Sequence, residues 1–461
     1  MNDWFGQRIL IIGAARQGTA LAQYLAARGA QVVLNDARPA KQLQDALTSL
    51  AEVPVKWALG GHPLDFLDGV DLVCPSGGVP LDLPIVAEAR KRGIPLSNDS
   101  QIFLEAAPCK VVGITGSAGK TTTTTLVGRM AQQSVKTQSQ KRAWVGGNIG
   151  NPLISDLDRM SADDLVVIEL SSFQLELMTR SPQVAAVLNI TPNHLDRHGT
   201  MAAYTAAKAN ILKYQQPGDV AVLNRDDPGA WSLAESVKGT LVSFGFSQPP
   251  QGQVGSFLHE DQIALWNDHF IQAQIPRQVV QLRGEHNLSN VLAACAIAQA
   301  AGLSAEAMRA GIDGFAGVAH RLEFVRSWGG AAWYNDSIAT APERAMAAIR
   351  AFNEPLVLLL GGRDKKLPWE DLAALVKQRV DHVILFGEAA DLIERAMPAP
   401  GSSRPYSLVR CENLEQAVQA AAEIVEPGDV VLLSPGGTSY DAFRDFAERG
   451  EQYRKWVNAL S

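Results

Sequence analysis

Short apolar runs alternate along the chain with longer stretches whose apolar positions recur at helical spacing. The run Arg8–Gly13 reads as a strand, a helical pattern follows to about Arg28, and Gln31–Asp36 reads as the next strand. Asp71–Pro75 and Pro95–Asn98 fit two more, and Ala106-Ala107-Pro108 looks like a boundary. A second series opens with Lys110–Thr115 and continues through Leu165–Leu170, Val184–Ile190 and Asp219–Asn224. Between Leu241 and Gln281, short runs broken by Pro and Gly predict a smaller β portion, followed by an Ala-rich helix over about Asn287–Ala300. A third series begins near His320, with strands at Ala332–Asn335, Leu356–Leu360, His382–Phe386 and Asp429–Leu433. Helices are expected between them at Pro342–Phe352, Trp369–Gln378 and Leu414–Val425. Alternation of strand and helix predicts α/β architecture with parallel sheets.

Composition narrows the function classes. The 461 residues suggest three domains at roughly 150 residues each. Hydrophobic residues make up 46% and charged residues 19%, so each domain can bury a core and the chain is not disordered. The formal net charge is -7 and no basic tract stands out, which argues against nucleic acid as a partner. Cys74, Cys109, Cys295 and Cys411 are far apart and show no metal spacing, as expected of buried free thiols in a reducing compartment. No stretch approaches the roughly 20 apolar residues of a spanning helix, and the first residues do not read as a signal peptide. A cytoplasmic protein with no membrane insertion is expected.

The strongest local signal is Val111–Thr122, an apolar strand that feeds a Gly-rich turn and opens a helix. Backbone amides of such a turn, with the helix N-terminus behind them, bind phosphate oxygens. The tight core is Gly116-x-x-Gly119-Lys120-Thr121, followed by Thr122; five residues rather than four separate Gly113 from Gly119, so this is not a strict Walker motif. Lys120 would reach the outer phosphates and Thr121 would hold magnesium. Glu169 ends the next apolar strand, where a carboxylate can also hold magnesium, and His194 and Asp196 follow the strand after it. At the N-terminus, Gly13-Ala14-Ala15-Arg16-Gln17-Gly18 follows a strand and Asp36 ends the next one. That is a dinucleotide fingerprint degraded at its middle glycine, weak support for a dehydrogenase.

Together these segments resemble the Mur ligases. The likeness is carried by Ile114–Thr122, Gly146-Gly147-Asn148-Ile149-Gly150, Glu169–Glu176, Asn193–Asp196, Ala206-Ala207-Lys208, Gly284–Asn287, His320-Arg321, Asn335-Asp336-Ser337 and Leu433-Ser434-Pro435, and spans essentially the whole chain. It implies an N-terminal Rossmann-like domain for a UDP-linked substrate (1–108), a central P-loop ATPase-type domain (109–318) and a C-terminal Rossmann-like domain for the amino acid (319–461). Within the family the likeness is nearest to the branch that joins glutamate, the D-enantiomer by preference, to UDP-N-acetylmuramoyl-L-alanine with ATP and magnesium. A monomer is expected.

Carried over motif by motif, Glu169 and His194 resemble metal-site residues; in the implied reaction, His194 or a bound water is expected to help remove the proton of the incoming amine. Lys208 resembles the lysine that the family carbamylates. Asn290, Arg321 and Asp336 resemble adenine, phosphate and ribose contacts. Asn148 resembles a substrate contact, and Gly13, Ala14, Ala15, Arg16, Asp36, Ser76 and Gly77 resemble the uridine diphosphate site. Thr340, Lys365 and Ser434 are the candidate donors to the glutamate side chain, with Phe443 walling the pocket. The sequence departs from the enterobacterial form at Ile338, where a lysine is usual, and at Gly436-Gly437-Thr438. A P-loop switch and a dehydrogenase are the alternatives from other classes. The N-terminal domain argues against the first, and the Gly-Lys-Thr loop against the second. A folylpolyglutamate-synthase-like ligase or an L-glutamate ligase is the alternative within the class.

Overall fold

The computed structural model describes residues 3–137, 142–365, 367–397 and 406–461. It contains three separate sheets. The first has the order β3-β2-β1-β4 and is wholly parallel, from β1 (Arg8–Ile12), β2 (Gln31–Asp36), β3 (Val55–Leu59) and β4 (Leu72–Pro75). Its inner strands read Ile-Leu-Ile-Ile and Val-Val-Leu because helices cover both faces, which removes the polar alternation of a half-exposed strand. Pro95–Asn98, expected as a strand, is reduced to a single parallel bridge between Val73 and Leu96. Asn98 leaves the bridge to cap the helix Asp99–Ala106.

The second sheet follows the order β13-β12-β11-β10-β9-β8-β5-β7-β6. Its strands are β5 (Lys110–Thr115), β6 (Ala143–Gly147), β7 (Leu165–Glu169), β8 (Val184–Val187), β9 (Val220–Asn224), β10 (Thr240–Phe244), β11 (Val254–His259), β12 (Gln262–Asn267) and β13 (Ile271–Pro276). The small β portion expected over Leu241–Gln281 is not a separate body. β10 pairs in parallel with β9, β11 with β10, and the antiparallel pair β12 and β13 completes the edge.

These two sheets belong to one compact unit, Met1–Phe315, and the remainder, Ala316–Ser461, forms another. The reason is one apolar cluster shared by both sheets. Ile9 and Ile11 of β1 join it from one side, Val166 and Ile168 of β7 from the other, with Phe103 of the helix Asp99–Ala106 also inside it. The boundary expected at 108 therefore separates sheets but not compact bodies.

The second unit carries a six-stranded sheet, β14-β15-β19-β16-β17-β18. It uses β14 (Glu323–Trp328), β15 (Ala331–Asn335), β16 (Leu356–Gly361), β17 (His382–Phe386), β18 (Ser407–Arg410) and β19 (Val430–Gly436), of which only β14 runs antiparallel. The run Leu-Val-Leu-Leu-Leu-Gly of β16 is buried throughout, between apolar clusters on its two faces. The closing helix is Phe446–Ala459, capped by Asp445. Cys74, Cys109 and Cys295 are buried free thiols, while Cys411 is only partly buried. No helix among the described residues is long and apolar enough to cross a membrane.

Candidate active site

The P-loop lies where β5 ends. Adjacent parallel strands β7 and β8 flank β5, so the segments that follow all three emerge at one edge. This is the side on which open α/β sheets bind ligands. Gly119 adopts φ +80°, and a Cβ there would stand 2.2 Å from Asn290 Oδ1, so only glycine lets the loop pass this side chain. Gly119 and Asn290 are thereby brought together, while Gly116 lies against Leu188. Thr121 and Thr122 open the helix Lys120–Thr137, with Thr122 buried beneath the loop. Asn189, which sequence reasoning passed over inside an apolar run, braces the loop. Its Oδ1 accepts from the Ala118 N–H at 2.8 Å and its carbonyl from the Ser117 N–H at 3.0 Å.

Lys120 turns back over the loop and donates to the carbonyl oxygens of Gly116 (2.8 Å) and Ser117 (3.2 Å). Lys208 reaches the same place from the helix Met201–Lys213, which Thr200 caps. It is 1% exposed, and its Nζ donates to Gly116 O at 2.8 Å and to Thr115 Oγ1 at 3.4 Å. Burial first and the Lys120 charge second, opposed by Glu169, push the Lys208 ammonium down to about 6.

Glu169, the last residue of β7, is 1% exposed. Its Oε1 accepts from Asn148 Nδ2 at 2.9 Å, while its Oε2 is buried with no hydrogen-bond partner. A buried carboxylate oxygen without a donor is costly unless a cation satisfies it. Asn148, expected as a substrate contact, is bound to Glu169 by side chain and by backbone, its N–H donating to the Glu169 carbonyl at 2.9 Å. No three His, Cys, Asp or Glu side chains among the described residues form a metal cage. Magnesium does not need one, because it is commonly held by one or two carboxylates with waters and substrate phosphates.

His194 has φ +53°, a left-handed conformation uncommon outside glycine. Its ring meets Phe173 edge-on at 5.1 Å, the His198 ring stacks on Phe173 at 5.3 Å, and the Arg197 guanidinium sits 4.5 Å over it. Phe173 therefore gathers three basic side chains a few residues beyond Glu169. The Asp196 side chain lies outside the described residues. Arg197 also donates to the carbonyls of Gly78 (3.3 Å) and Val79 (3.2 Å), tying the second sheet to the loop after β4.

In the N-terminal loop, Gly13 takes φ +101° and its carbonyl accepts from Ser76 Oγ at 3.1 Å, so the two predicted segments meet. A Cβ on Gly18 would stand 1.8 Å from Gly13 O. Ala15 is the N-cap residue of the helix Arg16–Ala26 and no side chain caps it, which favours an anion at its first turn. Gly77 sits beside Gln17 and Gln174. Arg16 donates to Gly150 O at 3.1 Å. Two of the expected contacts are engaged with each other. The Ala14 N–H donates to Asp36 Oδ2 at 2.8 Å. Asp36, expected as a ribose or base contact, also takes the Arg38 guanidinium at 2.9 and 2.7 Å and the Arg38 N–H at 2.9 Å, and these donors hold its carboxyl well below the usual range. Asp36 anchors the loop.

The second unit holds its own cluster. Asp336 is buried, and its two oxygens accept from Ser434 Oγ (2.8 Å) and the Leu322 N–H (3.2 Å); burial pushes its carboxyl up to about 7. Ser434 is completely buried. Its hydroxyl donates to Asp336, the expected ribose contact. Arg321 lies between His320 (φ +64°) and Leu322 (φ +43°), in a segment of unusual backbone. Lys365 Nζ donates to Thr340 Oγ1 at 3.2 Å, so these two candidates do meet. Phe443 packs on the core beside β19, within the turn segment before the last helix. The fully buried Arg449 of that helix was not anticipated. It donates to Ser337 Oγ (3.0 Å), Ser337 O (2.8 Å) and Gly437 O (3.2 Å), clamping the loops that follow β15 and β19.

Comparison with known proteins agrees with this layout. Three sequence profiles match in order: the Mur ligase MurD-like N-terminal domain at residues 7–98, the Mur ligase middle domain at 114–298 and the Mur ligase glutamate ligase domain at 320–437. The UDP-N-acetylmuramoylalanine–D-glutamate ligase of Symbiobacterium thermophilum is 40% identical over 456 residues, covering 99% of this chain and 98% of the relative. Its counterpart in Pelotomaculum thermopropionicum is 38% identical, covering 100% and 99%. Among solved structures, the UDP-N-acetylmuramate-alanine ligase MurC of Thermotoga maritima shares the fold with a TM-score of 0.58 at 18% identity, covering 98% of this chain and 99% of that one. MurF of Acinetobacter baumannii does so with a TM-score of 0.54 at 19% identity, covering 98% and 91%. The chain belongs to the Mur ligase family.

Proposed function

We propose that this chain joins D-glutamate to UDP-N-acetylmuramoyl-L-alanine at the expense of ATP, through an acyl phosphate. The observation that carries the reading is Lys208, a buried lysine whose amine is held against the P-loop beside Glu169. A switch or motor P-loop protein has no use for such a group. The full-length relatives named for D-glutamate addition support the substrate pair and the enantiomer.

A carboxylate is a poor electrophile, so its oxygen first attacks the γ-phosphorus and ADP leaves. Lys120, released from the loop carbonyls that it now contacts, neutralises charge on the transferring group. The neutral Lys208 amine adds carbon dioxide and loses a proton, which makes a carbamate anion of a buried cation. Thr121, Glu169 Oε2 and the carbamylated Lys208 are the groups that would hold magnesium, with His194 beyond them. Magnesium, when bound, supplies electrostatic stabilisation of the phosphoryl oxygens. The amine of glutamate then attacks the acyl phosphate, phosphate departs and His194 takes the amine proton.

The first turn of the helix Arg16–Ala26 and the Gly13–Ser76 loop receive the uridine diphosphate, Asn290 the adenine, and Arg321 a phosphate. Thr340 and Lys365 receive the glutamate. Each chain carries every one of these residues, so the reading requires no second copy. Its reactants, ATP and a UDP-sugar, make the cytoplasm the place of work. ADP release with UDP-N-acetylmuramoyl-L-alanine, assayed with D- and L-glutamate side by side, tests the reading. Product with the D-form is expected, and a clear preference for the L-form refutes the enantiomer.

A further inference from the structure

Several cations of the second unit pair with carboxylates. Arg363 is forked on Glu388 at 2.8 and 2.9 Å, Arg410 pairs with Asp391 and Glu394, and Arg454 with Glu323 and Glu451. Arg344 and Lys365 are exposed and form no ion pair among the described residues. Both instead address one short loop. Arg344 Nη1 donates to the carbonyl of Ile338 at 3.4 Å, the Thr340 N–H donates to that same carbonyl at 2.9 Å, and Lys365 Nζ donates to the Thr340 hydroxyl at 3.2 Å.

Ile338 itself brings no charge to the loop. Arg344, in the first turn of the helix Pro342–Ile349, reaches back over six residues to it. The two cations repel. Lys365 is held below the usual lysine range by partial burial first, then by the guanidiniums of Arg344 and Arg449. Neutral carbonyl and hydroxyl oxygens are weak partners for such a pair, whereas a carboxylate forms charge-assisted bonds with both and can accept the guanidinium in a fork.

We propose that Arg344 is a specificity-determining residue that, with Lys365, binds a carboxylate of the incoming amino acid. The assignment deepens the function proposed above and rests on it, since that reading brings a dicarboxylic amino acid to this unit. It makes Arg344 the cation of a loop whose own residue is isoleucine, and gives a guanidinium and an ammonium that now donate to neutral loop oxygens a common carboxylate partner.

Steady-state ADP release by the full chain, varying glutamate and ATP separately, tests it with Arg344→Ala and Arg344→Lys. Loss of one charge-assisted contact predicts a rise of about 10- to 100-fold in the KM for glutamate for Arg344→Ala, with the KM for ATP within about twofold of wild type. Arg344→Lys should recover part of the loss, because an ammonium keeps the charge but not the fork. An unchanged KM for glutamate, or an equal rise for ATP, overturns the assignment while the proposed function stands. A wild-type chain that turns over with neither enantiomer overturns both.

Discussion

The ammonium groups of Lys120 and Lys208 both donate to the carbonyl oxygen of Gly116, each at 2.8 Å. Two like charges on one oxygen in a buried place cannot both be comfortable, and Lys208 yields, pushed down to about 6 mainly by burial. A neutral buried amine is a nucleophile for carbon dioxide. Lys208 is therefore expected to be carbamylated in active enzyme, as seen by carbon-13 NMR after equilibration with labelled carbon dioxide. An active, unlabelled protein contradicts it. Lys208→Met should lose activity by at least about 10²-fold, and small carboxylates should restore part of it.

The same residue makes stability depend on pH. Its folded value of about 6 lies below the ordinary lysine value, so the unfolded chain holds more protons between the two. The penalty on folding is full below the folded value and shrinks as pH rises through this window. With carbon dioxide excluded, thermal unfolding should occur at higher temperature at about pH 8.5 than at about pH 6.5, and Lys208→Met should remove this contribution. Identical pH profiles for the two proteins would show that Lys208 is not the titrating group.

Lys120→Ala should leave the fold intact, because the side chain is half-buried and the Gly116 carbonyl that loses it keeps Lys208 as a donor. Turnover should fall by roughly 10²-fold or more through loss of a preorganised charge at the transferring phosphoryl group. Near wild-type turnover by a folded variant, judged by circular dichroism, would remove the P-loop assignment.

Glu169 Oε2 is buried and unpartnered, so Glu169→Gln tests the cation site directly. The amide keeps the shape and the bond to Asn148 but removes the charge. The magnesium concentration for half-maximal activity should rise at least about tenfold, measured by titration at saturating ATP. An unchanged requirement would place the ion elsewhere.

Gly18→Ala should abolish binding of the UDP-sugar, since its Cβ would lie 1.8 Å from the carbonyl of Gly13 and the loop must move. ATP binding should survive. Calorimetry on the full chain reads both, and submillimolar NAD binding by wild type without UDP-sugar binding would overturn the assignment of the first sheet.

Local pattern determined most of the architecture. The strands Gln31–Asp36, Lys110–Thr115 and His382–Phe386 are read from the sequence at the residues where they occur, because parallel strands buried on both faces leave continuous apolar runs. The P-loop was legible because its glycines and Lys120 are contiguous and their job is set by backbone geometry. Lys208 was legible only through resemblance. In sequence it is a lysine in an Ala-rich helix, and its chemistry arises from a carbonyl 92 residues away. What long-range packing alone decided runs the same way. Glu169 holds Asn148, Arg38 and Ala14 donate to Asp36, and Ser434 donates to Asp336. A polar residue's type announces that it needs partners. Which partners it finds depends on distant segments that reach it only in the folded chain.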